Sequence, residues 1–419
     1  MEILISTALV LVFLYFFLFK VLKLFDQPAA ATLHYRDSKY NRSIISLCSI
    51  LTKPYVPNRL WGHNAHIQSF IYAKIGRFNA PYPKGKRINI PRPDGATFTF
   101  DIFEPSSPHP QGADVTLCVC PGIANHSEKA YVRTFIHYAM SQGFRVAVLN
   151  HLGALPSVPL TSPRIFTYGE TGEYAAMVDY IKEHFTSSKF VSIGFSMGAN
   201  IVIKYMGEEP SRQHDFMCCI SICQGYDVTL AAKVLHEWDS MRRFYNFMMT
   251  LNMRRQLRQN FDMLFGEGAQ TYWKNRSEPP PCYDVKKVFR STSLVHLDEE
   301  MTRKMCRYNS LSDFYESCSS SPHMFKIKIP LLLLNADDDA LIPVTQNWTP
   351  MEISQKSNCA IYAVTKHGGH LGFFEGGFLK ANTVSWLDRM LIQYVDGTLE
   401  LNKTLHSNGE VHCNGEVTS

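Results

Sequence analysis

The sequence predicts an α/β fold: a mostly parallel sheet with helices on both faces, a helical insertion, and a transmembrane helix in front. Three observations predict it. Between Val115 and Cys223, apolar runs of strand length alternate with amphipathic stretches of helix length, the pattern of a parallel sheet. That alternation lapses over about 226–325 and resumes at Ile329. Ile3 to Phe19 carries no charge and is almost wholly apolar.

The chain has 419 residues, enough for one large α/β domain with appendages. Hydrophobic residues make up 45% and charged residues 19%, the balance of a mostly globular protein. A net charge of +5, with no recognisable binding motif, argues against nucleic acid as a partner. The eleven cysteines are odd in number and form no C-x-x-C pair, so neither a disulfide framework nor a zinc site is implied. Cys118, Cys120, Cys218, Cys219 and Cys223 fall in apolar, strand-like runs and read as buried thiols.

As a helix, Ile3–Phe19 would span about 26 Å, close to a hydrocarbon core, with Lys20 and Lys23 placed to snorkel. Ala29-Ala30-Ala31 resembles a signal-peptide cleavage site. Glu2 and the lack of a basic n-region argue against cleavage, so residues 1–25 are assigned as a single-pass anchor in the plasma membrane or endoplasmic reticulum. Lys20, Lys23, Arg36, Lys39 and Arg42 follow the span and favour a cytosolic domain. Five sequons, at Asn41, Asn125, Asn275, Asn347 and Asn402, argue weakly for the other side.

Residues 26–85 read as a juxtamembrane connector and packing segment. Within it, His63 and His66 have metal-like spacing but no third ligand, and packing is the simpler reading. The α/β domain is assigned to 86–396. Lys86–Pro91 and Thr97–Phe103 form a hairpin around a Pro-Asp-Gly turn. Strands follow at Val115–Cys120, Phe144–Asn150, Phe190–Ile193, Met217–Cys223, Ile329–Leu334 and Cys359–Val364. Helices are expected over Lys129–Ser141, Gly169–Phe185, Ala199–Tyr205 and Asn382–Tyr394.

The insertion, about 226–325, reads as a cap, with one long helical stretch over Thr229–Phe265 before a break at Pro279-Pro280-Pro281. Its Met and Phe residues suit an apolar ligand and its arginines an anionic lipid surface, although a plain capping subdomain would have the same composition. Residues 397–419 are polar, repeat NGEV at Asn408 and Asn414, and are expected to be disordered.

The chemistry centres on GFSMG, a G-x-S-x-G with Ser196 in the middle, between an apolar strand and a helix. Such a serine sits on a tight strand-to-helix turn with its hydroxyl exposed above the sheet, and Gly194 and Gly198 permit the close backbone approach. An isolated five-residue pattern recurs by chance; the strand before and the helix after give it weight. The amide of Met197, at the helix N-terminus, is placed to donate to an oxyanion. A second donor is expected from the loop Pro121-Gly122-Ile123, through the amide of Ile123. Asn125, His126 and Ser127, close by, either shape the pocket or cap the next helix.

A serine nucleophile needs a base and an acid to orient it, in chain order Ser, Asp or Glu, His in α/β-hydrolases. One later strand ends in Asp337-Asp338-Asp339 and the next leads to His367 and His370. Asp339 precedes Ala-Leu-Ile-Pro, a D-x-x-x-P loop, and is chosen over Asp338. His370, flanked by glycines, is chosen over His367. Ser196, Asp339 and His370 are thus the expected triad, with neither metal nor cofactor required.

With these residues in place, the runs WGHNAHIQ, CPGIANHSEKAYVRTF, NHLGALP, LTSPRIFTYG, GFSMGAN, CQGY, RRFYNF and HGGHLGFFEG resemble the fourth AB-hydrolase family, in its α/β-hydrolase domain-containing protein 2 branch. The likeness runs from about Leu51 to Tyr394. It implies an α/β-hydrolase fold and a membrane-anchored serine hydrolase of monoacylglycerols, including 2-arachidonoylglycerol, with triacylglycerol and broader ester activity. It also implies a link to steroid signalling, and a hydrolase domain on the non-cytosolic side, opposite to the charge argument. Ser196, Asp339 and His370 match the family triad. Asp339-Ala340 departs from the Asp-Pro frequent in relatives, which would loosen the acid loop. An acyltransferase using the same triad, and a hydrolase-fold receptor that binds a steroid or lipid without turnover, are the alternative readings.

Overall fold

A computed structural model describes residues 2–77, 79–274 and 276–407. The sequon Asn275 and the NGEV repeats lie outside the described residues. Helix α1 (Glu2–Phe16) continues as a π-helical turn to Val21, and Ile3–Val21 is long and apolar enough to cross a membrane, with none of its residues buried in the rest of the protein. The chain then lays down β1 (Thr32–His34), α2 (Lys39–Leu47) and α3 (Ala65–Phe70). The hairpin β2 (Lys86–Pro91) and β3 (Thr97–Phe103) leads into β4 (Val115–Cys120), α4 (Ala130–Ser141), β5 (Arg145–Asn150), α5 (Gly172–His184), β6 (Lys189–Phe195), α6 (Met197–Glu208) and β7 (Phe216–Ile222).

The cap follows as α7 (Val228–Val234), α8 (Arg242–Gln259), α9 (Phe261–Phe265), α10 (Glu267–Lys274), α11 (Val285–Arg290), α12 (Leu294–Leu297), α13 (Arg303–Met305), α14 (Leu311–Cys318) and α15 (Ser321–Met324). The sheet resumes with β8 (Leu331–Ala336), α16 (Trp348–Lys356) and β9 (Ala360–Thr365), and α17 (Trp386–Ser407) closes the described chain.

The strands form one nine-stranded sheet in the order β1-β9-β8-β7-β6-β4-β5-β3-β2. The six from β9 to β5 are parallel; β1 pairs antiparallel with β9, β3 antiparallel with β5, and β2 antiparallel with β3. The parallel strands read as unbroken apolar runs because helices cover both their faces. Side chains from α2, α4 and α17, such as Ile44, Phe135 and Trp386, pack on one face. Those from α5, α6, α16 and the cap, such as Tyr174, Ile201, Ile353 and Leu257, pack on the other.

Three expectations change. Residues 26–85 are more than a connector, since β1 pairs with β9 and extends the sheet (Thr32 opposite Val364). The long cap helix is broken: Ser240 and Met241 adopt positive φ of 49° and 57°, so the chain turns before α8. The tail expected to be disordered from 397 is helical to Ser407. Val395, Thr398, Leu399, Leu401 and Asn402 are buried at helical spacing. Polar composition concealed this face. Gly397 lets α17 approach α2, because a Cβ there would lie 3.2 Å from both Ile44 and Leu47.

None of the four described sequon asparagines is exposed. Asn41, Asn347 and Asn402 are buried, and Asn125 faces a cavity. A buried side-chain amide offers no room for a glycan in the folded protein.

Candidate active site

The strand β6 delivers the chain to Ser196 at φ 53°, ψ −123°, a conformation that L-residues avoid and that a nucleophile elbow requires. The flanking glycines are needed for the reason the sequence suggests. A Cβ at Gly198 would lie 2.1 Å from the carbonyl oxygen of Cys120, and one at Gly194 2.4 Å from the Cα of Ala199. From this elbow, Ser196 Oγ donates to His370 Nε2 at 2.8 Å. His370 Nδ1 donates to Asp339 Oδ2 at 2.8 Å. The other oxygen, Asp339 Oδ1, accepts the amides of Leu341 at 2.8 Å and Ile342 at 3.1 Å. Both carboxylate oxygens are thereby held, one by the imidazole and one by its own loop.

The three aspartates after β8 separate by environment. Asp337 is exposed, and Asp339 is buried against His370. Asp338 accepts the amide of Gly369 at 2.8 Å, so it holds the loop that carries His370 without touching the imidazole. His367 lies elsewhere, 3.5 Å from both Asp26 and Asp338 and stacked on His63 with ring centroids 5.1 Å apart. His66 instead meets the Tyr245 hydroxyl at 3.0 Å, so His63 and His66 part company despite their spacing.

The two expected oxyanion donors face the same space. Ile123 and Met197 line one cavity with Ser196 and His370, and neither amide has an acceptor among the described residues. Gly122 lies beside the nucleophile, since a Cβ there would be in van der Waals contact with that of Ser196, at 3.5 Å. Its loop is held by His151, which bonds the Pro121 carbonyl at 2.8 Å, and by the Tyr131 hydroxyl, which accepts the Gly122 amide at 3.1 Å. Burial keeps His151 neutral by pulling its pKa down to about 4. Asn125, His126 and Ser127 do not cap α4, whose N-cap position is Lys129 without a side-chain bond.

Several neighbours carry no sequence signal that would single them out. Ser69 Oγ accepts the His370 amide at 3.0 Å, and Gln68, from the same α3, accepts the Phe374 amide at 3.0 Å. The "packing segment" therefore braces the histidine loop. Cys223, at φ 54° just beyond β7, lies with Asp339 and His370 so that one polar atom of each falls within 4.8 Å. Burial, and then the nearby Asp339 charge, pushes its thiol well above the usual range. Arg242 of the cap donates to the Ala340 carbonyl at 3.2 Å, which fastens the acid loop.

Ser196 stands where two arms of a cavity meet; both arms touch Ser196, His370, Ile123, Met249 and Leu341. The first, about 750 Å³, runs beneath α7 and α12 past Val228, Ala232, Leu235 and Val295 and reaches Asp298. The second, about 1280 Å³ counting the open solvent at its mouth, runs toward α3 and the start of α4, past Tyr245, Met248, Asn252, Asn125 and Lys129. Met249 thus lines both arms and Met248 the second, whereas Phe244 is 49% exposed on the outside.

A family model described as "alpha/beta hydrolase fold" matches residues 115–377. Human "Monoacylglycerol lipase ABHD2" is 43% identical over 90% of this chain and 88% of its own. The Drosophila melanogaster "Abhydrolase domain-containing protein 2" is 38% identical over 92% of this chain and 95% of its own. Among solved structures, a Pyrococcus furiosus esterase aligns with a TM-score of 0.42 at 14% identity, over 77% of this chain and 91% of that one.

Proposed function

Starting from the fact that this chain belongs to the alpha/beta hydrolase fold family, we propose that it is a membrane-anchored serine hydrolase that cleaves acylglycerol esters, monoacylglycerols first among them. The observation that carries this reading is the unbroken hydrogen-bond chain Ser196–His370–Asp339, opening onto a largely apolar arm under the cap. The relatives named monoacylglycerol lipase support the substrate class.

In this reading Ser196 Oγ attacks the acyl carbonyl while His370 Nε2 takes its proton. Asp339 holds the Nδ1 proton in place and stabilises the imidazolium. The amides of Met197 and Ile123 receive the negative charge that develops on the carbonyl oxygen, where such donors act most strongly. Collapse expels the glycerol oxygen, which takes the proton from His370. Water then attacks the acyl-enzyme, again deprotonated by His370, and releases the fatty acid. The acyl chain lies in the first arm, where each buried methylene contributes about 0.8 kcal/mol.

The helix Ile3–Val21 anchors the enzyme in the bilayer. The end of this helix is tied to the site: Asn64 Nδ2 donates to the Val21 carbonyl at 2.5 Å, and Asp26 lies 3.5 Å from His367 on the histidine loop. A substrate leaving the bilayer therefore has a short path to Ser196. The test is labelling with a fluorophosphonate alongside release of fatty acid from a monoacylglycerol. Both are expected from the purified full chain and both are expected to vanish in Ser196→Ala, which stays folded. Labelling that survives the substitution would move the nucleophile elsewhere.

A further inference from the structure

The second arm contains a charge that a neutral glycerol does not require. Lys129 lines it, half-buried at the start of α4, and its ammonium has no acidic partner among the described residues. The neighbouring carboxylate is occupied, since Glu128 pairs with Arg87 at 2.9 Å. Removing an ammonium from water without a counter-charge is costly, and several half-buried cations in this fold avoid that cost by pairing. Arg164, for example, pairs with Asp94 and Glu173. Burial alone acts on Lys129 and pulls its pKa down. The remaining polar wall, Asn125, Asn252 and Ser69, offers hydroxyl and amide groups suited to glycerol oxygens.

Resting on the reading of Ser196 as nucleophile, we propose that the second arm receives a head group bearing a phosphate, so that the enzyme acts on monoacyl glycerophosphate esters as well as neutral monoacylglycerols. Three features select this class. The arm opens directly on Ser196, so its occupant is the alcohol half of the ester whose acyl half fills the first arm. An unpaired ammonium is a compact point charge, which phosphate sites use, and an anionic head group would supply the counter-charge that Lys129 lacks among the described residues. The arm is open to solvent, and its space, about 1280 Å³ counting the open mouth, admits a phosphoglycerol. The chemistry at the ester is unchanged: the acyl C–O bond breaks, the glycerol oxygen takes the proton from His370, and the phosphate leaves intact on the alcohol.

The experiment compares 1-oleoylglycerol with 1-oleoylglycerol 3-phosphate in uncharged detergent micelles, using the purified full chain, Lys129→Gln and Lys129→Arg. The readout is the ratio of kcat/KM for the phosphate ester to that for the neutral ester. The ratio is expected to exceed 1 in the native protein, to fall on the order of tenfold or more in Lys129→Gln, and to recover most of that loss in Lys129→Arg. Glycerol 3-phosphate is expected to inhibit the native protein more strongly than Lys129→Gln. Inorganic phosphate inhibiting as strongly as glycerol 3-phosphate would mark a site for the free anion and overturn the head-group assignment. A ratio unaffected by Lys129→Gln, with fluorophosphonate labelling and neutral turnover intact, would overturn this proposal alone. Loss of labelling in the native protein would overturn the nucleophile as well.

Discussion

The upper edge of the sheet and the cap face each other across Ser196, and they are held together by different means. At the sheet edge every reacting group is fixed by a short loop whose backbone is itself bonded. Gly369 is tied to Asp338, the His370 amide to Ser69, and Asp339 to two amides of its own loop. The cap touches the site mainly through methionine, leucine and valine on its helices, with single polar ties to the sheet loops such as Arg242 to Ala340 and Gln256 to Ala124. Chemistry needs atoms held within tenths of an ångström, and bonded loops supply that. Specificity for a flexible chain needs apolar surface that can adjust, and methionine-lined helices supply that. Changes at the edge should therefore be steep and indifferent to substrate, and changes in the cap milder and dependent on chain length.

The sharpest form of this contrast lies between adjacent residues at the edge. Asp339→Asn places an amide beside His370 Nδ1, which favours the wrong tautomer; turnover is expected to fall on the order of 10⁴-fold for every ester. Asp338→Asn keeps an oxygen able to accept the Gly369 amide, so a loss on the order of tenfold or less is expected. Steady-state kinetics on one short and one long ester settles the order. Equal losses would mean that Asp338 does more than hold the loop.

In the cap, Met249→Asp tests the other half of the comparison. The residue lines both arms, so a carboxylate there meets any acyl chain that enters. Long-chain monoacylglycerols are expected to lose on the order of 10²-fold in kcat/KM, and acetate or butyrate esters far less, because each methylene kept from the apolar arm forfeits about 0.8 kcal/mol. Phe244→Asp, on the outer surface, is expected to leave the chain-length profile unchanged. A uniform loss across chain lengths in Met249→Asp would erase the division of labour between edge and cap.

That division also explains what could be read from the sequence. The elbow was legible because G-x-S-x-G encodes a steric necessity, visible in the 2.1 Å that a Cβ at Gly198 would leave. Asp339 and His370 were legible because each follows an apolar strand in a set order. Helical phase in the cap was not, since the turn at Ser240 and Met241 rotates α8 relative to α7 and neither residue is a glycine. The bracing of His370 by Ser69 joins residues separated by 301 positions, and Lys129 and Asp298 acquire meaning only from the cavity they border. The final turns of α17 were hidden for a related reason: their buried face includes Thr398 and Asn402, whose polarity reads as solvent exposure until the helix is seen packed on α2 and β7.

The smallest effect concerns the far end of the first arm, where edge and cap cease to differ. Asp298 is buried there, and the hydroxyls of Tyr168 and Tyr315 donate to it at 3.0 Å and 2.9 Å. This is a bonded polar group in cap territory. Burial pushes its carboxyl up to about 7, while hydrogen bonds from Thr302, Tyr315 and Tyr168 pull it back. The unfolded chain releases this proton near pH 4, so between about pH 4 and 7 the native state holds a proton that the unfolded state has lost. The stabilisation is complete below the unfolded value and disappears as pH rises through about 7. Between pH 5 and pH 7 the native protein should lose on the order of 2 kcal/mol relative to Asp298→Asn, whose amide does not titrate and can still accept a tyrosine hydroxyl. Denaturant unfolding of both proteins in the same detergent at the two pH values measures the difference. If the two slopes coincide, Asp298 is ionised throughout, and the end of the acyl arm is a fixed negative charge rather than a neutral polar wall.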